Sequence, residues 1–547
     1  MRFNKQVAVF FFVIFFSLVA NAQEKDFYNR VKETMMKATM FMVNKVSYNG
    51  GYASVYRSDL SYRRNELEAY KTQVGVYSHS PGTVMMGDLF LDCYEVTGEE
   101  YYYAAAVKAA ETLIYGQLPC GGWNYFIDFA GDRSLKQWYN TIGKYAWGWD
   151  EYNHYYGNAT FKDGATEEAA MFLLRIYMEK LDPVFKPALY KAIDFIINSQ
   201  SSIGGWTQRY PQRIDRQFTY AGKPDYTSHY VFNKEDVIWR NIKFLIQCYI
   251  SLGEERFLSP IRKGMNFYLI PQLGNPQGGW ALQYDKNLHP TYARQYEPTA
   301  LSPQQTYDNA ELLINFYKYT GDRKFLARIP DAIRWIESCK LSQDKTENGK
   351  YTHAVFIELG TNKPLYAHRK GYGVISGTYW IDDNDQPPLP HYGHKTNINI
   401  EKLKQDYDRV KDLSIERVTE NALLLSNNTK VPKNLYFTTY LNNMGNQEVS
   451  RWGDTGGLSN LNRGNVSKKE INEIINSLDN QGRWLSKHLW VSTPYQDQEK
   501  KANEINTALL STPVGGAPIV DSSNQQYISI GVFVKNMSSL LNYINKK

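Results

Sequence analysis

Residues 94–123 read YEVTGEEYYYAAAVKAAETLIYGQLPCGGW. This stretch begins at the end of one amphipathic helix, turns at Gly98, and continues with acidic residues that open a second helix. It ends in the letters GGW, at 121–123, and the same three letters return at 204–206 and at 278–280. Because the pattern recurs at long intervals, it indicates an internal structural repeat.

Further stretches repeat this order of helix, corner and helix. Residues 249–280 and 317–342 keep the corner glycine, whereas residues 177–206 carry Asp182-Pro183 in its place, and residues 40–52 resemble a half-copy. The repeat unit is therefore a helical hairpin of roughly 70–80 residues with long loops. We expect an all-α fold, an α/α toroid or incomplete barrel, in which the GGW turns and the loops after them recur on one face.

The N-terminal residues have the pattern of a secretory signal peptide. Arg2 and Lys5 precede an apolar run, and Ala20-Asn21-Ala22 has the small residues of a cleavage site. The apolar run of about a dozen residues is too short to cross a bilayer of about 30 Å. We therefore expect residues 1–22 to be removed, the protein to be secreted or periplasmic, and the mature chain to have no membrane span.

The rest of the chain divides near residue 400. We assign 23–400 to the toroid, within which 345–400 are rich in β-branched and aromatic residues and predict strands or extended loops. Residues 401–547 form a C-terminal extension of unknown role, which begins with one charged helix and continues as a mixed tail.

Composition narrows the classes of function. A net charge of +6 over 547 residues is too weak to indicate nucleic-acid binding. We also expect the protein to be a monomer. The four cysteines lack metal-ligand spacing, and their apolar context favours buried free thiols over disulfides. The 43 tyrosines and 12 tryptophans suit sugar rings, but such residues also fill cores. For the tryptophan of each GGW turn, its repeated position favours the core.

Four polar stretches lie near the repeat corners, at 158–174, 204–239, 280–302 and 356–371. They contain FKDGAT, GGWTQRYP with SHYVFNKED, LQYDKNLHPTYARQYE, and IELGTNKPLYAHRKG. In this order they resemble the motifs of the pectic acid lyase family, polysaccharide lyases of family ten, and the resemblance extends over 81–371. It implies a pectate lyase that cleaves galacturonan, an acidic plant cell-wall polysaccharide, by β-elimination.

Elimination removes the C5 proton of a uronate and expels the oxygen on C4. It requires neutralisation of the carboxylate, a base in contact with the proton and stabilisation of the enolate. The resemblance implies that Arg294 is the base and that Arg369 binds a substrate carboxylate. A guanidinium with a pKa above about 12 is a poor base at neutral pH, so this role implies an alkaline optimum or local tuning. The alternative is that either arginine pairs with a structural acid such as Glu297.

The acidic residues depart from the family pattern. The family's aspartate before GAT corresponds to Lys162 or Asp163, its aspartate before the histidine to Ser228, and the later aspartate to Lys234. The resemblance implies a Ca²⁺ cofactor, and here Asp163 and Asp225 are the candidate ligands. Lys162 offers an alternative, since a fixed cation could neutralise the uronate directly.

The predicted site combines these residues. Its catalytic residues are Arg294 and Asp163, and its substrate-binding residues are Arg369, Lys162, His229, Arg209, Glu297 and Asn233. The insertion 131–158 is expected to shape one end of the groove. Two other functions remain open, a glycoside hydrolase on an α/α toroid that uses Asp163 and Glu297 as its paired carboxylates, and a non-catalytic pectin-binding relative.

Overall fold

The structure is a computed structural model. It describes residues 24–65, 67–76, 81–143, 154–212, 219–220, 223–224, 226–232, 237–294, 296–370, 378–386, 394–425, 431–437, 466–486, 489–491, 517–519 and 526–545. The predicted signal peptide lies outside the described residues.

Helices dominate the regular structure, so the predicted helical class is confirmed. The described helices are α1 (24–41), α2 (Thr83–Thr97), α3 (Glu100–Gly116), α4 (Asp132–Asn140), α5 (Ala165–Lys180), α6 (Lys186–Asn198), α7 (Val237–Leu252), α8 (Leu258–Phe267), α9 (Pro303–Thr320), α10 (Ile329–Ser338), α11 (Ile400–Lys411), α12 (Ile415–Val418), α13 (Lys468–Ser477) and α14 (Ile530–Asn545).

The helices pack as hairpins. The pairs in contact are α2 with α3, α5 with α6, α7 with α8, and α9 with α10. The first helices of neighbouring hairpins also contact each other, α2 with α5 and α5 with α7. The predicted repeat of helical hairpins is therefore confirmed.

A left-handed residue ends the first helix of each hairpin. Gly98, Gly253 and Gly321 follow α2, α7 and α9 with φ angles of 69°, 72° and 71°. Glycine adopts this conformation without steric cost. In the degenerate copy Leu181 takes the same position after α5, with φ of 53°. The corner is thus Leu181, and Asp182-Pro183 lies just beyond it.

Most strands are short. They are β1 (Val55–Arg57), β2 (Arg63–Arg64), β3 (Gln73–Gly75), β4 (Phe126–Asp128), β5 (Ala159–Thr160), β6 (Arg209–Tyr210), β7 (Thr219–Tyr220), β8 (Lys223–Pro224), β9 (Tyr230–Val231), β10 (Gln283–Tyr284), β11 (Ala300–Leu301), β12 (His353–Ala354), β13 (Phe356–Glu358), β14 (Pro364–Lys370), β15 (Thr378–Asp382), β16 (Lys395–Thr396), β17 (Leu485–Ser486), β18 (Leu489–Val491), β19 (Ala517–Ile519) and β20 (Tyr527–Ser529). The strands predicted within 345–400 are confirmed.

A two-stranded antiparallel ladder recurs with the hairpins, as β3 with β4, β5 with β6, and β9 with β10. In each ladder the first strand leads into the first helix of a hairpin, and the second follows the GGW turn that ends the same hairpin. The ladder therefore brings the beginning and the end of each repeat together. The candidate functional residues lie on these ladders and in the loops beside them.

The three GGW tryptophans belong to the core, as their repetition indicated. Trp123, Trp206 and Trp280 are each 0% exposed. Their indole N–H groups donate to the carbonyl oxygens of Leu113, Ile196 and Tyr268, at 2.8, 2.8 and 3.0 Å. A fully buried ring has no face on which a sugar could stack.

The first glycine of each GGW turn packs against the second helix of the next hairpin. A Cβ atom at Gly121, Gly204 or Gly278 would lie 2.5, 2.3 or 2.8 Å from the carbonyl oxygen of Lys191, Lys263 or Asp331. Gly50, in the predicted half-copy, approaches Lys108 in the same way, at 2.3 Å. Because real Cβ contacts are not this short, a side chain at these positions would push the hairpins apart.

A glutamine that the sequence analysis did not single out links each of these turns to the next hairpin. The side-chain amides of Gln117, Gln200 and Gln272 donate to the carbonyl oxygens of Gly121, Gly204 and Gly278. The same amides also donate to Ala188, Pro260 and Arg328 in the following hairpin.

The described C-terminal elements pack against the N-terminal part of the chain. Strand β20 pairs with β1 and with β17, and α14 contacts α2.

The predicted single charged helix after residue 400 is wrong, because α11 ends at Lys411 and α12 starts at Ile415. Ser414 separates them, with its side-chain oxygen accepting a hydrogen bond from the backbone N–H of Arg417.

Two further expectations concern the cysteines and the membrane. Cys93, Cys120, Cys248 and Cys339 are all free thiols, and all but Cys120 are buried, as predicted. Within the described ranges, no helix combines the length and the apolar character needed to cross a bilayer.

Candidate functional site

The candidate residues lie where the ladder strands meet the first helices of the hairpins. Lys162 and Asp163 connect β5 to α5, Arg209 lies on β6, and His229 immediately precedes β9. Arg294 and Glu297 lie between β10 and β11. These segments come from three successive repeats, so the repeat brings together residues that are far apart in sequence.

A chain of contacts joins these segments. Thr160, two residues before Lys162, pairs with Arg209 in the β5–β6 ladder. The backbone N–H of Arg209 donates to the carbonyl of Thr227 at 3.2 Å, two residues before His229. The His229 ring lies 6.0 Å from the ring of Tyr292, and Tyr292 is two residues before Arg294.

Lys162 and Asp163 lie in a tight, buried turn. Both side chains are almost inaccessible, and the turn Lys162–Gly164 is a single 3-10 turn in which Asp163 has φ of 56°. A Cβ atom on Gly164 would lie 2.3 Å from the Nη1 atom of Arg240 on α7. Gly164 has a left-handed φ of 80°, which favours glycine, and the turn contacts α7 as well as α5.

Arg294 forms a buried ion pair with Glu297, which is the structural alternative considered for it. Their exposed fractions are 2% and 1%. Nη1 of Arg294 lies 3.1 Å from one Glu297 carboxylate oxygen, and the Arg294 backbone N–H donates to the other oxygen at 2.9 Å. The pair fixes the arginine at the centre of its loop and favours the charged form of the guanidinium.

His229 is nearly buried, with its backbone N–H donating to the carbonyl of Tyr226 at 3.0 Å. His229 belongs to the segment that leads into α7, whose described part runs from Val237 to Leu252. The histidine lies in the turn before β9, facing the loop that carries Arg294.

The strand of Arg369 lies beside the Arg294 loop. On the β14–β15 ladder, Arg369 pairs with Tyr379, and the Tyr379 ring lies 6.0 Å from that of Tyr296. Tyr296 falls between Arg294 and Glu297, so this ladder packs against their turn. The Arg369 side chain is outside the described part of the structure, as are Asn233 and Asp225.

Arg209 is buried against aromatic rings. Its exposed fraction is 2%, and its guanidinium carbon lies 4.5 Å from the centroid of the Tyr156 ring and 5.4 Å from that of Tyr125. Nη1 donates a long hydrogen bond, 3.3 Å, to the side-chain oxygen of Asn158. Tyr156 and Asn158 belong to the end of the insertion that was expected to shape the groove.

Glu167 is a buried acid that the sequence analysis missed. It lies in the first turn of α5, and neither of its carboxylate oxygens has a hydrogen-bond partner among the described residues. Burial raises its pKa to about 8, against a lowering effect of the Arg240 charge. The sequence TEEAA gave no signal, because acids in a first helical turn ordinarily face water and complement the helix dipole.

The described residues do not fit a calcium site by themselves. Ca²⁺ takes six to eight oxygen ligands, but the described ranges hold no group of three or more His, Cys, Asp or Glu side chains that could bind a metal. Asp163 is the described candidate ligand, and Ser228 stands where the family has an acid. We therefore derive no chemical step through calcium.

Comparisons with known proteins identify a family that this sequence matches. The sequence profile of the pectic acid lyase family matches residues 141–382, so the resemblance noted from the motifs is confirmed over that range. A search of curated protein sequences gives no significant match.

Solved structures similar to this chain include lyases and epimerases. A family 10 polysaccharide lyase from Cellvibrio cellulosa is 17% identical, with a TM-score of 0.34, and the match covers 61% of this chain and 91% of the lyase. A mutant family 10 lyase from the same organism, in complex with trigalacturonic acid, is 18% identical, with a TM-score of 0.33 and coverages of 54% and 89%. A cellobiose 2-epimerase from Bacillus thermoamylovorans is 13% identical, with a TM-score of 0.36 and coverages of 72% and 86%.

Proposed function

We propose that this protein is a secreted or periplasmic polysaccharide lyase that cleaves polygalacturonate or pectin-type polymers by β-elimination. The observation that carries the proposal is the family match over 141–382, since this range includes every candidate site residue from Lys162 to Arg369. Contacts between the loops of successive repeats support it, because they gather the described candidates at one end of the hairpins.

In the proposed reaction, fixed cations neutralise the carboxylate of one uronate. Lys162 and Arg369 supply these charges, and Asp163, His229 and Asn233 hydrogen-bond the sugar. Neutralisation acidifies the C5 proton, which Arg294 removes. The electron pair of the C5–H bond forms the C4–C5 double bond, the bond from C4 to the glycosidic oxygen breaks, and that oxygen takes up a proton from water.

Arg294 is paired with Glu297, and it can act as a base only after its guanidinium has lost a proton. A carboxylate in contact with the guanidinium favours its protonated form, whereas a base must first lose that proton. We therefore propose that the enzyme works best at alkaline pH. Glu297 acts as a positioning residue that holds the Arg294 side chain against the substrate.

The alternative of a glycoside hydrolase is disfavoured by the same pair. That mechanism needs Glu297 as a free acid or base opposite Asp163. Both carboxylate oxygens of Glu297 instead face donors of Arg294, so they are occupied. A non-catalytic pectin-binding relative would also retain the arginines, and activity separates it from an enzyme.

We further propose that the hairpins form an incomplete α/α toroid and that the protein acts as a monomer. Contacts of α2 with α5 and of α5 with α7 are those expected of inner helices, with α3, α6 and α8 outside them.

The test is to incubate the purified protein with polygalacturonate, rhamnogalacturonan and highly methylated pectin, with Ca²⁺ or with EDTA. Elimination leaves an unsaturated uronide, which absorbs in the ultraviolet, whereas hydrolysis releases reducing ends without this absorbance. We expect the absorbance to rise with polygalacturonate. Reducing ends without absorbance would indicate the hydrolase, and binding without either signal would indicate the non-catalytic relative.

A further inference from the structure

Arg209 is buried and has no counter-charge among the described residues. No carboxylate of the described residues lies within ion-pair distance of its guanidinium, and its Nη2 atom has no hydrogen-bond partner among them. A buried polar group without a partner costs about 1–3 kcal/mol, and more when it is charged. A side chain kept in this condition is therefore suited to receive a partner from outside the chain.

The surroundings of Arg209 hold its side chain in place. Tyr156 and Tyr125 present their rings to the guanidinium, and such contacts stabilise a cation without supplying a negative charge. The backbone of Arg209 is fixed on both sides, by pairing with Thr160 and by the hydrogen bond to Thr227. Nη1 of Arg209 bonds Asn158, whereas Nη2 is left without a hydrogen-bond acceptor among the described residues.

Described residues of the insertion lie beside the aromatic neighbours of Arg209. Helix α4 lies in the insertion, and its Trp138 and Tyr139 share a hydrophobic cluster with Tyr125. The indole N–H of Trp138 donates to the carbonyl of Glu68 at 2.7 Å, which ties the insertion to the N-terminal part of the chain.

We propose that Arg209 is the recognition residue of a second carboxylate subsite, which binds the free carboxylate of a uronate other than the one that reacts at Arg294. This inference rests on the proposed function and assigns to Arg209 the recognition of one de-esterified uronate of the polymer. A guanidinium binds a carboxylate through two parallel charge-assisted hydrogen bonds. A methyl ester carries no charge and offers weaker acceptors, so it loses most of this interaction.

The kinetic test compares wild type with Arg209→Gln on polygalacturonate and on highly methylated pectin. Loss of a charge-assisted hydrogen bond, about 1.5–3 kcal/mol, corresponds to a rise in KM of roughly tenfold to a hundredfold on polygalacturonate. The value of kcat should change far less, and KM on methylated pectin should stay near that of wild type. An equal loss on both substrates, or no loss on either, would overturn the proposal.

Arg256→Gln is the matched control. Arg256 is a partly exposed arginine paired with Asp194 and Glu254, and its replacement should change neither KM nor the substrate preference. Arg209→Lys keeps the charge without the planar fork, and it should give a KM between those of wild type and Arg209→Gln. If Arg209→Gln does not fold, the lysine variant carries the test alone, and a wild-type KM for it would count against the proposal.

A binding measurement separates failure of this inference from failure of the proposed function. Isothermal titration calorimetry with trigalacturonate requires no turnover. If wild type binds and Arg209→Gln binds at least about tenfold more weakly, the subsite stands even when no polymer is cleaved. Equal binding by the two proteins would refute the subsite and leave the lyase proposal intact.

Discussion

Glu167 offers a quantitative test of the structure through the effect of pH on stability. Its side chain is 3% exposed, and burial raises its pKa from 4.5 to about 8. The groups that act on it are Arg240 and Lys243, which lower this pKa, and Glu168, which raises it. The folded protein therefore holds a proton at Glu167 in a range of pH where the unfolded chain has lost it.

The sign and the magnitude follow from proton linkage. The contribution of the neutral carboxyl to stability is fully present below the unfolded pKa of 4.5 and is lost as the pH rises through about 8. Each pH unit in this window costs about 1.4 kcal/mol, which sets a ceiling of about 5 kcal/mol. Glu167→Gln keeps a neutral group of the same shape and should not show this loss.

The assay is urea unfolding of wild type and of Glu167→Gln at about pH 5 and about pH 9. The free energy of unfolding should fall more in wild type than in the variant, by at least about 2 kcal/mol. Glu255→Gln, at an exposed position, controls for the loss of one acidic side chain. If wild type and Glu167→Gln lose the same free energy between these pH values, Glu167 is not a buried neutral carboxyl, and the described packing of α5 is wrong there.

Two substitutions test the repeat. Leu181→Gly should raise the free energy of unfolding by roughly 0.5–1 kcal/mol, because Leu181 occupies the left-handed corner that glycine takes in three other hairpins. An unchanged free energy in urea unfolding would contradict this prediction. Gly204→Ala should lower the free energy of unfolding by roughly 3 kcal/mol or more, since Gly204 has φ of +105° and the added Cβ would lie 2.3 Å from a backbone oxygen. Thermal unfolding close to that of wild type would show that the close contact at the GGW turn does not hold neighbouring hairpins together.

The sequence was sufficient to predict the hairpin repeat, because its signals are local. A corner glycine and the GGW letters report backbone conformations that few other residues adopt. Where the residue type was less restrictive, the prediction failed. The charges of 399–427 fit one continuous helix, and only the structure shows Ser414 starting a new turn.

The site was harder to predict, because its key features depend on burial. The motifs identified Arg294 and Glu297, but whether they pair with each other could not be read from their spacing. Two features have no sequence signature at all: the lack of a counter-charge for Arg209 among the described residues, and the buried carboxyl of Glu167. Both features depend on which side chains from neighbouring repeats pack around Arg209 and around Glu167.

The central claim is that Arg294 takes part in β-elimination on a uronate polymer. The most direct measurement is the ultraviolet absorbance produced from polygalacturonate by wild type and by Arg294→Gln, whose amide can still donate to Glu297. We predict a steady rise for wild type that increases toward alkaline pH, and a rate lower by roughly a hundredfold to ten-thousandfold for a variant that remains folded. Equal rates for the two proteins, or no absorbance from wild type at any pH with or without calcium, would contradict the account.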